Sequence, residues 1–213
     1  MQLLLDSAVI DEALIAAEWG WVNGATTNPT LLAKSNLSPE KTLEKLSQCF
    51  KGPIFYQLVG KSIKSMKAEA KLAAGILGKQ LVLKIPATEL GFRATSQLSK
   101  KYTCAVTSVF TSSQALVAHA SGARYALYYH NRAKRLLENG HDLANELVQV
   151  LKQTSTIVVA ASLKTPEEVV EARLAGVQIL STNLKVLSKM VQHDLSEAAL
   201  KEFNRNGIGL VSQ

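Results

Sequence analysis

Short apolar runs alternate along the chain with segments whose apolar residues recur every three or four positions, the spacing of one helix face. Several runs are apolar at consecutive rather than alternate positions, which is typical of parallel strands covered by helices. We therefore predict a repeated strand–helix unit. The predicted strands are Leu3–Leu5, Gly24–Thr26, Ile54–Val59, Leu81–Ile85, Tyr102–Val109, Tyr125–Tyr129, Ile157–Ala161 and Val177–Leu180.

Helix-start signals lie between these runs. In SPEKTLEKLSQCF, Ser38 is a predicted N-cap and Pro39 takes the first helical position, and TPEEVVEARLAG repeats the arrangement at Thr165. An open doubly wound sheet is the competing architecture, but no G-x-G fingerprint follows the first strand. Consecutive strand–helix units in a chain of this length fit a closed (β/α)8 TIM barrel better. We predict one barrel domain over residues 1–213, with residues 194–213 as a C-terminal helix and tail.

Polar residues stand at the carboxyl end of nearly every predicted strand. In a (β/α)8 barrel those ends meet on one face, where the chemistry of such proteins takes place. One polar residue at a strand end is unremarkable, but a repeated one predicts a ring of functional groups around a cavity. The ring consists of Asp6, Thr26, Asn28, Gln57, Lys84, Thr107, Tyr129 and Ser162.

Lys84 stands out because it ends the apolar run of KQLVLKIPATELG. A buried ammonium is costly unless it reaches water or is used. Lys84 is therefore either a strand-end lysine that extends to solvent or a group placed for chemistry. Complete burial lowers the pKa of a lysine, by up to roughly 3–5 units, and the neutral amine can then form a Schiff base with a carbonyl. Asp6 could oppose this as an ion-pair partner or help it as a proton relay, and both roles stay open.

A second group of residues indicates an anion site. Ser162 and Lys164 come just before the helix that Thr165 caps, and Arg132 follows the preceding strand. The loop after the seventh strand and the next helix N-terminus form the usual phosphate site of this fold. Arginine, lysine and backbone N–H groups suit a phosphate monoester. The alternative is that both cations are solvated loop charges.

Composition narrows the class of protein. Hydrophobic residues make up 47% of the chain and charged residues 19%, and no signal peptide or long apolar stretch is present, so we predict a cytoplasmic protein without membrane contact. Cys49, Cys104 and four scattered histidines predict neither a metal site nor a cofactor. The net charge of +7 is spread along helices and aromatic residues are only 6%, which favours anionic metabolites over nucleic acid.

Several stretches resemble motifs of the small transaldolase family, which includes fructose 6-phosphate aldolase. They are LLLDSA, GATTNPTLLAK, VLKIPAT, AVTSVFTSSQALVAHASGARY, YYHNR and VVAASLKTPEEVVEA, and the resemblance runs from Met1 to about Met190. It implies a (β/α)8 barrel and a metal-free class I aldolase or transaldolase that uses a Schiff-base lysine. It also implies a ring-shaped homo-oligomer, a decamer or pentamer.

The resemblance assigns roles residue by residue. Lys84 resembles the Schiff-base lysine, and Asp6 the aspartate that handles protons and substrate hydroxyls. Thr107 resembles the threonine that helps to hold the catalytic water. The predicted substrate-binding residues are Thr26, Asn28, Arg132, Ser162 and Lys164.

Gln57 and Tyr129 separate the two branches of the family. Transaldolases typically have glutamate and phenylalanine there, whereas the aldolase branch has glutamine and tyrosine. A tyrosine hydroxyl near the bound water can move a proton that phenylalanine cannot. The departures are Leu127 and Tyr128, where the family usually has a small residue and proline. We expect Leu127 to crowd the pocket, and Phe55, which shares a strand face with Gln57, to line it.

The sequence therefore predicts a class I aldolase that cleaves or forms fructose 6-phosphate, with dihydroxyacetone and glyceraldehyde 3-phosphate as the other partners. One alternative is a transaldolase of the pentose phosphate pathway, which passes the dihydroxyacetone unit to a second sugar phosphate. A more distant one is a sugar-phosphate-binding protein without turnover. Sugar phosphates and small ketoses or aldehydes are the expected ligands. His130, between two site residues, is predicted to face away from the pocket.

Overall fold

The computed structural model describes residues 1–210. Parallel strands pair in chain order and close into a barrel, because the eighth strand also pairs with the first. The predicted (β/α)8 fold is confirmed. The strands are β1 (Gln2–Asp6), β2 (Gly24–Thr26), β3 (Ile54–Gln57), β4 (Leu81–Pro86), β5 (Thr103–Val109), β6 (Tyr125–Tyr129), β7 (Ile157–Leu163) and β8 (Ile179–Thr182).

Helices connect the strands and cover the barrel. The predicted caps are present, since Ser38 and Thr165 each accept a hydrogen bond from a backbone N–H three residues on, at 3.3 and 3.2 Å. Within residues 1–210 the helices are α1 (Ile10–Glu18), α2 (Pro29–Leu32), α3 (Pro39–Cys49), α4 (Ile63–Leu77), α5 (Glu89–Leu98), α6 (Ser112–Ala120), α7 (His130–Leu136), α8 (Leu143–Val150), α9 (Pro166–Leu174), α10 (Leu184–Lys189) and α11 (Asp194–Asn206).

Several strand boundaries differ from the prediction by one or two residues, and two of these differences have a clear cause. β8 begins at Ile179 rather than Val177, because the Val177 N–H still bonds to the carbonyl of Ala172 at the end of α9. β3 ends at Gln57: the Leu58 N–H still donates to the carbonyl of Lys84 on β4, but the Glu69 carboxylate on α4 then accepts hydrogen bonds from the Val59 N–H at 3.1 Å and from the following N–H. In both cases the apolar run in the sequence extends beyond the residues that pair as a strand.

The interior of the barrel has an apolar layer below a polar one. Strand side chains alternate between the interior and the surrounding helices, so the inward residues of each strand lie two positions apart. The lower inward positions are Leu4, Phe55, Val82, Ala105, Leu127, Val159 and Ile179. The inward positions two residues further along the strands are Asp6, Gln57, Lys84, Thr107, Tyr129 and Ser181, with Thr26 on β2.

Phe55 and Leu127 both belong to the apolar layer. Each is completely buried, and Phe55 packs against the ring of Tyr125 with ring centroids 5.4 Å apart. Neither side chain is among those that line the pocket above. The expectations that Leu127 crowds the pocket and that Phe55 lines it were wrong, because both side chains end one layer too low.

The register shifts at two places in the otherwise regular barrel. One shift lies between Thr107 and Val109, where β5 pairs with β6, and the other between Ala160 and Leu163, where β7 pairs with β8. Bulges of this kind re-aim side chains and are frequent beside functional sites. Both shifts lie at the carboxyl end of the barrel.

The last described helix has no residue buried in the barrel. The predicted C-terminal helix is α11, which has no buried residue, and the last three residues of the predicted tail, 211–213, lie outside the described residues. The division into a barrel and a C-terminal segment stays a prediction. Within residues 1–210, every helix is too short or too polar to span a membrane.

Candidate active site

A cavity of about 530 Å³ opens at the carboxyl ends of the strands. Most of the residues predicted for the site line it, and Thr26 and Thr107 lie buried beside them. The cavity is also lined by residues that were not among the predicted site residues, namely Pro29, Thr30, Leu31, Ser108 and Ala161. The predicted residues on the cavity wall are Asp6, Asn28, Gln57, Lys84, Tyr129, Arg132, Ser162 and Lys164.

Two parts of the wall differ in character. We call Asp6, Gln57 and Lys84 the lysine side, and Ser108, Arg132, Ser162 and Lys164 the arginine side. Tyr129 lies between them.

Lys84 points into the barrel and is only 2% exposed. It does not extend to solvent, so the first of the two readings of this lysine is excluded. Burial lowers the pKa of its amine, and nearby Tyr129 and Asp6 oppose that effect by favouring the charged form. The Nζ atom donates a hydrogen bond to the carbonyl oxygen of Thr27 at 2.8 Å. The site therefore contains an amine stripped of most of its water and held in one direction.

Asp6 is held by a chain of two hydroxyl groups. The Thr26 hydroxyl donates to Asp6 Oδ1 at 2.7 Å and lies 2.6 Å from the Ser181 hydroxyl. A hydroxyl has one hydrogen, so Thr26 accepts from Ser181 while it donates to Asp6. The structure shows no Asp6–Lys84 ion pair within 4.0 Å in residues 1–210. Ser181 was not among the predicted site residues, although its place at a strand end is the signal that finds the others.

Tyr129 connects several polar groups of the wall. Its hydroxyl lies 3.2 Å from that of Thr107, and the Arg132 guanidinium lies 4.8 Å from the centre of its ring, a cation–π distance. Gln57 Oε1 is buried and has no hydrogen-bond partner within residues 1–210. A buried acceptor of this kind normally has a partner, so a ligand hydroxyl or a water is the natural donor.

The arginine side combines exposed cations with unusual backbone. Ser108 and Ser162 have φ angles of 62° and 59°, in the left-handed region that side chains rarely adopt, and each lies at a register shift. Arg132 and Lys164 are exposed. The structure thus places two cations and two serine residues on the wall of the cavity, a set that fits an anion.

His130 is turned away from the cavity, as predicted. It is 1% exposed, and its Nδ1 lies 2.9 Å from the Tyr128 hydroxyl. Its Nε2 lies 3.6 Å from the carboxylate of Glu171 on α9, and burial lowers the pKa of the ring. These contacts lie between the barrel and its helices, so His130 belongs to the packing of that layer.

Metal-ligating residues are not clustered in the described chain. Among residues 1–210, no three His, Cys, Asp or Glu side chains are grouped so as to hold a metal ion. The absence of a metal or cofactor from the reaction stays a prediction.

A closed parallel barrel with a polar cavity at the carboxyl ends of its strands is the architecture of the (β/α)8-barrel enzymes. The sequence profile of the transaldolase/fructose-6-phosphate aldolase family matches residues 3–210. The chain belongs to this family and is an enzyme of the aldolase or transaldolase type.

Individual relatives agree with the profile over almost the full length. A protein of Caldicellulosiruptor saccharolyticus named probable transaldolase is 35% identical over 207 residues, 95% of each chain. One from Roseiflexus sp. strain RS-1 with the same name is also 35% identical with the same coverage. A probable transaldolase of Clostridium botulinum strain Langeland is 32% identical over 97% of this chain and 96% of its own.

Proposed function

We propose that this enzyme forms a Schiff base between Lys84 and a ketose phosphate and splits the sugar into a bound dihydroxyacetone unit and an aldehyde phosphate. The observation that supports this most strongly is the buried amine of Lys84 on the wall of a polar cavity. An amine with a lowered pKa is neutral for a larger fraction of the time, and the neutral form is the nucleophile.

The proposed reaction begins when the Lys84 nitrogen attacks the ketone carbon and the oxygen leaves as water. The C3–C4 bond then breaks, its electron pair moves into the iminium to give an enamine, and the C4 hydroxyl loses its proton. The aldehyde phosphate departs. Asp6 is the proposed proton acceptor or hydroxyl-orienting group, and a water held by Gln57, Thr107 and Tyr129 carries protons.

The arginine side is the proposed phosphate site. Arg132 and Lys164 supply positive charge, and Ser162 a hydroxyl donor, on the wall of the same cavity as the amine. Thr26 and Asn28 are proposed to orient the substrate on the other side, Thr26 by way of its hydrogen bond to Asp6. A sugar phosphate would then have its carbonyl at Lys84 and its charged group near Arg132.

The fate of the enamine decides between two activities. The relatives are named as probable transaldolases, which supports transfer of the dihydroxyacetone unit to a second aldehyde phosphate as the proposed activity of this chain. The second candidate is the aldolase activity, in which the enamine is protonated and hydrolysed. The observation that favours it is the Tyr129 hydroxyl beside Thr107, which provides a proton donor near the enamine. Membership of an enzyme family argues against the third alternative, a sugar-phosphate-binding protein without turnover.

The two activities differ in how glyceraldehyde 3-phosphate appears when fructose 6-phosphate is the only substrate. A transaldolase releases about one equivalent per active site and then stops, because the enamine has no acceptor. An aldolase continues to turn over. Addition of erythrose 4-phosphate restarts the first enzyme and is not needed by the second. Quenched-flow measurement of the aldehyde, with Lys84→Met as the inactive control, separates them.

Trapping tests the shared chemistry. Borohydride added with dihydroxyacetone or fructose 6-phosphate should reduce the Schiff base and leave a three-carbon or sugar adduct on Lys84, visible by intact-mass analysis and peptide mapping. Lys84→Met should give none. An unmodified native enzyme that still turns over either substrate would overturn the proposal.

The Tyr129→Phe variant tests the second candidate directly. Without the hydroxyl, continuing release of dihydroxyacetone should fall by about a hundredfold if Tyr129 supplies the proton, whereas transfer to erythrose 4-phosphate should persist. Equal loss of both activities would reject a specific role for the hydroxyl.

We also propose a cytoplasmic homo-oligomer. The support for an oligomer is that the apolar residues Leu195, Leu200 and Phe203 of α11 are 73%, 58% and 68% exposed, a surface that a second copy of the chain would cover. Light scattering coupled to gel filtration checks it, and a monomer at micromolar concentration would contradict it.

A further inference from the structure

Glu168 connects the start of α7 with the turn that follows β7, at the arginine side of the cavity. It lies in the first turn of α9 and is 8% exposed. Its Oε1 accepts a hydrogen bond from Nδ2 of Asn131 at 2.7 Å, and its Oε2 accepts one from the backbone N–H of Lys164 at 2.7 Å. Both carboxylate oxygens are therefore used, each at a short charge-assisted distance.

The two partners belong to neighbouring strand–helix units. Asn131 directly precedes Arg132 in α7, and Lys164 directly follows β7. The last paired residues of β6 and β7 are Tyr129 and Ala161. Beyond them, α7 and the segment around Ser162 and Lys164 are not joined by strand pairing between β6 and β7. Glu168 supplies the connection beyond the point where the strands separate.

The adjoining backbone needs such support. Ser162 has a φ of 59°, a conformation that persists in a serine only when its surroundings hold it. The Lys164 N–H that Glu168 binds lies two residues further on. A contact at this place fixes the turn that carries both the Ser162 hydroxyl and the Lys164 side chain.

Charge attraction does not explain a carboxylate here. Glu168 adds a negative charge beside the cations that suit an anion, so its electrostatic effect on an anionic ligand is unfavourable. Its charge is buried only because both oxygens are satisfied. What Glu168 contributes is to hold the residues that carry the cations in position.

We propose that Glu168 is a positioning residue for anion binding: with Asn131 it sets the spacing between Arg132 and the Ser162–Lys164 turn and thereby makes the enzyme select phosphorylated substrates. The identity of the anion as a phosphate monoester rests on the proposed function. The placement itself rests only on the two hydrogen bonds of one carboxylate.

A donor–acceptor swap tests the proposal. In Glu168→Gln one carboxylate oxygen becomes an NH2 group, which cannot accept a hydrogen bond. The side chain can then no longer accept from both Asn131 and Lys164, so one of the two contacts is lost. In Asn131→Asp two carboxylates face each other. In the double variant Asn131→Asp/Glu168→Gln, the new amide can accept from Lys164 and donate to the new carboxylate, and the net charge of the native pair is kept.

Each single variant should weaken binding of inorganic phosphate by about tenfold in titration calorimetry, the effect of losing one hydrogen bond to a charged group. The KM for glyceraldehyde 3-phosphate as acceptor of the dihydroxyacetone unit should rise by a similar factor, and the KM for unphosphorylated glyceraldehyde should not. The double variant should recover most of both losses. A merely structural residue would change both acceptors together.

Glu167→Gln is the matched control. Glu167 is the preceding residue of α9, carries the same charge and is exposed, so its replacement should leave the ratio of the two KM values near that of the native enzyme. If Glu168→Gln behaves like Glu167→Gln, or if the folded double variant recovers nothing, the proposal is overturned. Should Glu168→Gln fail to fold, Asn131→Ala carries the test, because it removes one contact and keeps the carboxylate.

The phosphate titration separates this proposal from the proposed function. Loss of phosphate affinity in the single variants together with no turnover of any sugar phosphate would reject the function and leave the positioning role intact. Normal turnover with unchanged selectivity for the phosphorylated acceptor would reject the positioning role and leave the function intact.

Discussion

Asp6, Gln57 and Lys84 stand on strands whose pairing runs without a break, whereas Ser108 and Ser162 stand where the register of the barrel shifts. The positions of the lysine-side residues are thus fixed by the backbone hydrogen bonds between regularly paired strands. The arginine side depends on left-handed backbone and on side chains that connect α7 with the turn after β7.

The difference follows from what each side has to hold. An amine with a lowered pKa needs burial, and regular strands pack closely enough to provide it. An anion that enters and leaves needs exposed cations, and here Arg132 in the first turn of α7 and Lys164 just after β7 supply them at the rim. The properties of the lysine side therefore depend on burial, and those of the arginine side on how the backbone positions its cations. The two sides should respond differently to substitution.

The largest expected effect is on the lysine side. Lys84→Met keeps the length and apolar stem of the side chain but removes the proposed nucleophile, so turnover of fructose 6-phosphate should fall by at least about a thousandfold. Steady-state assays with and without erythrose 4-phosphate measure this. Residual activity within tenfold of the native enzyme would show that another group attacks the substrate.

The same variant should be more stable than the native enzyme at neutral pH. The pKa of Lys84 is lowered from its ordinary value of 10.5, so between the two pKa values the unfolded chain binds more protons than the folded one. Native stability therefore rises with pH until about 10.5 and the cost of burying the amine then disappears. Urea unfolding should show a gain in the free energy of unfolding for Lys84→Met at pH 7, and that gain should shrink towards pH 10.

The next effect concerns the arginine side. Arg132→Ala removes an exposed cation that is not needed for Schiff-base formation, so the KM for phosphorylated substrates should rise by about 10- to 100-fold with a smaller change in kcat. Arg135→Ala, an exposed cation on the same helix away from the cavity, is the control and should change neither. A collapse of kcat in Arg132→Ala would erase the contrast between the two sides.

A smaller effect is expected beneath the lysine side. Ser181→Ala removes the donor to Thr26 and loosens the hydroxyl chain that holds Asp6, so kcat should fall by up to about tenfold, with an altered pH profile. Thr95→Val removes another buried hydroxyl, which bonds only within α5, and should lower stability without changing the pH profile. Identical profiles for both variants would mean that the chain does not reach the chemistry.

The smallest effect tests the strained backbone. A left-handed φ costs a side-chain-bearing residue about 1–2 kcal/mol, so Ser108→Gly should raise the free energy of unfolding by about 0.5–1 kcal/mol after the entropic cost of glycine. Ser96→Gly in α5 should lower it by a similar amount. Denaturant titrations compare them, and a loss in both variants would indicate that the Ser108 side chain contributes more than its backbone costs.

Much of the lysine side could be predicted from the sequence because strand spacing repeats. Consecutive apolar residues gave the strands, and a polar residue at each strand end gave the inward ring that contains Lys84. The alternation of side chains along a strand predicts which face a residue occupies. It does not predict the level of that residue along the barrel axis, because this level depends on the stagger between strands. Phe55 and Leu127 were therefore assigned to the right face and the wrong layer.

The arginine side was less predictable because its geometry is not local. Nothing in the residues around Ser108 or Ser162 indicates a left-handed φ, which depends on how neighbouring strands pair. Glu168 looks like an ordinary first-turn glutamate after Thr165, and its contact with Asn131 spans 37 residues. Such contacts require the closed barrel before they can be seen.

The hydrogen bond from Lys84 to the carbonyl oxygen of Thr27 has a stereochemical consequence. An ammonium has three N–H groups and a protonated imine has one, and this carbonyl can accept from either. If the remaining N–H of the imine stays on that oxygen, the plane of the C=N bond is fixed and only one of its faces meets the incoming aldehyde. Handedness at the new carbon–carbon bond would then be set by main chain, which no side-chain substitution at Thr27 removes.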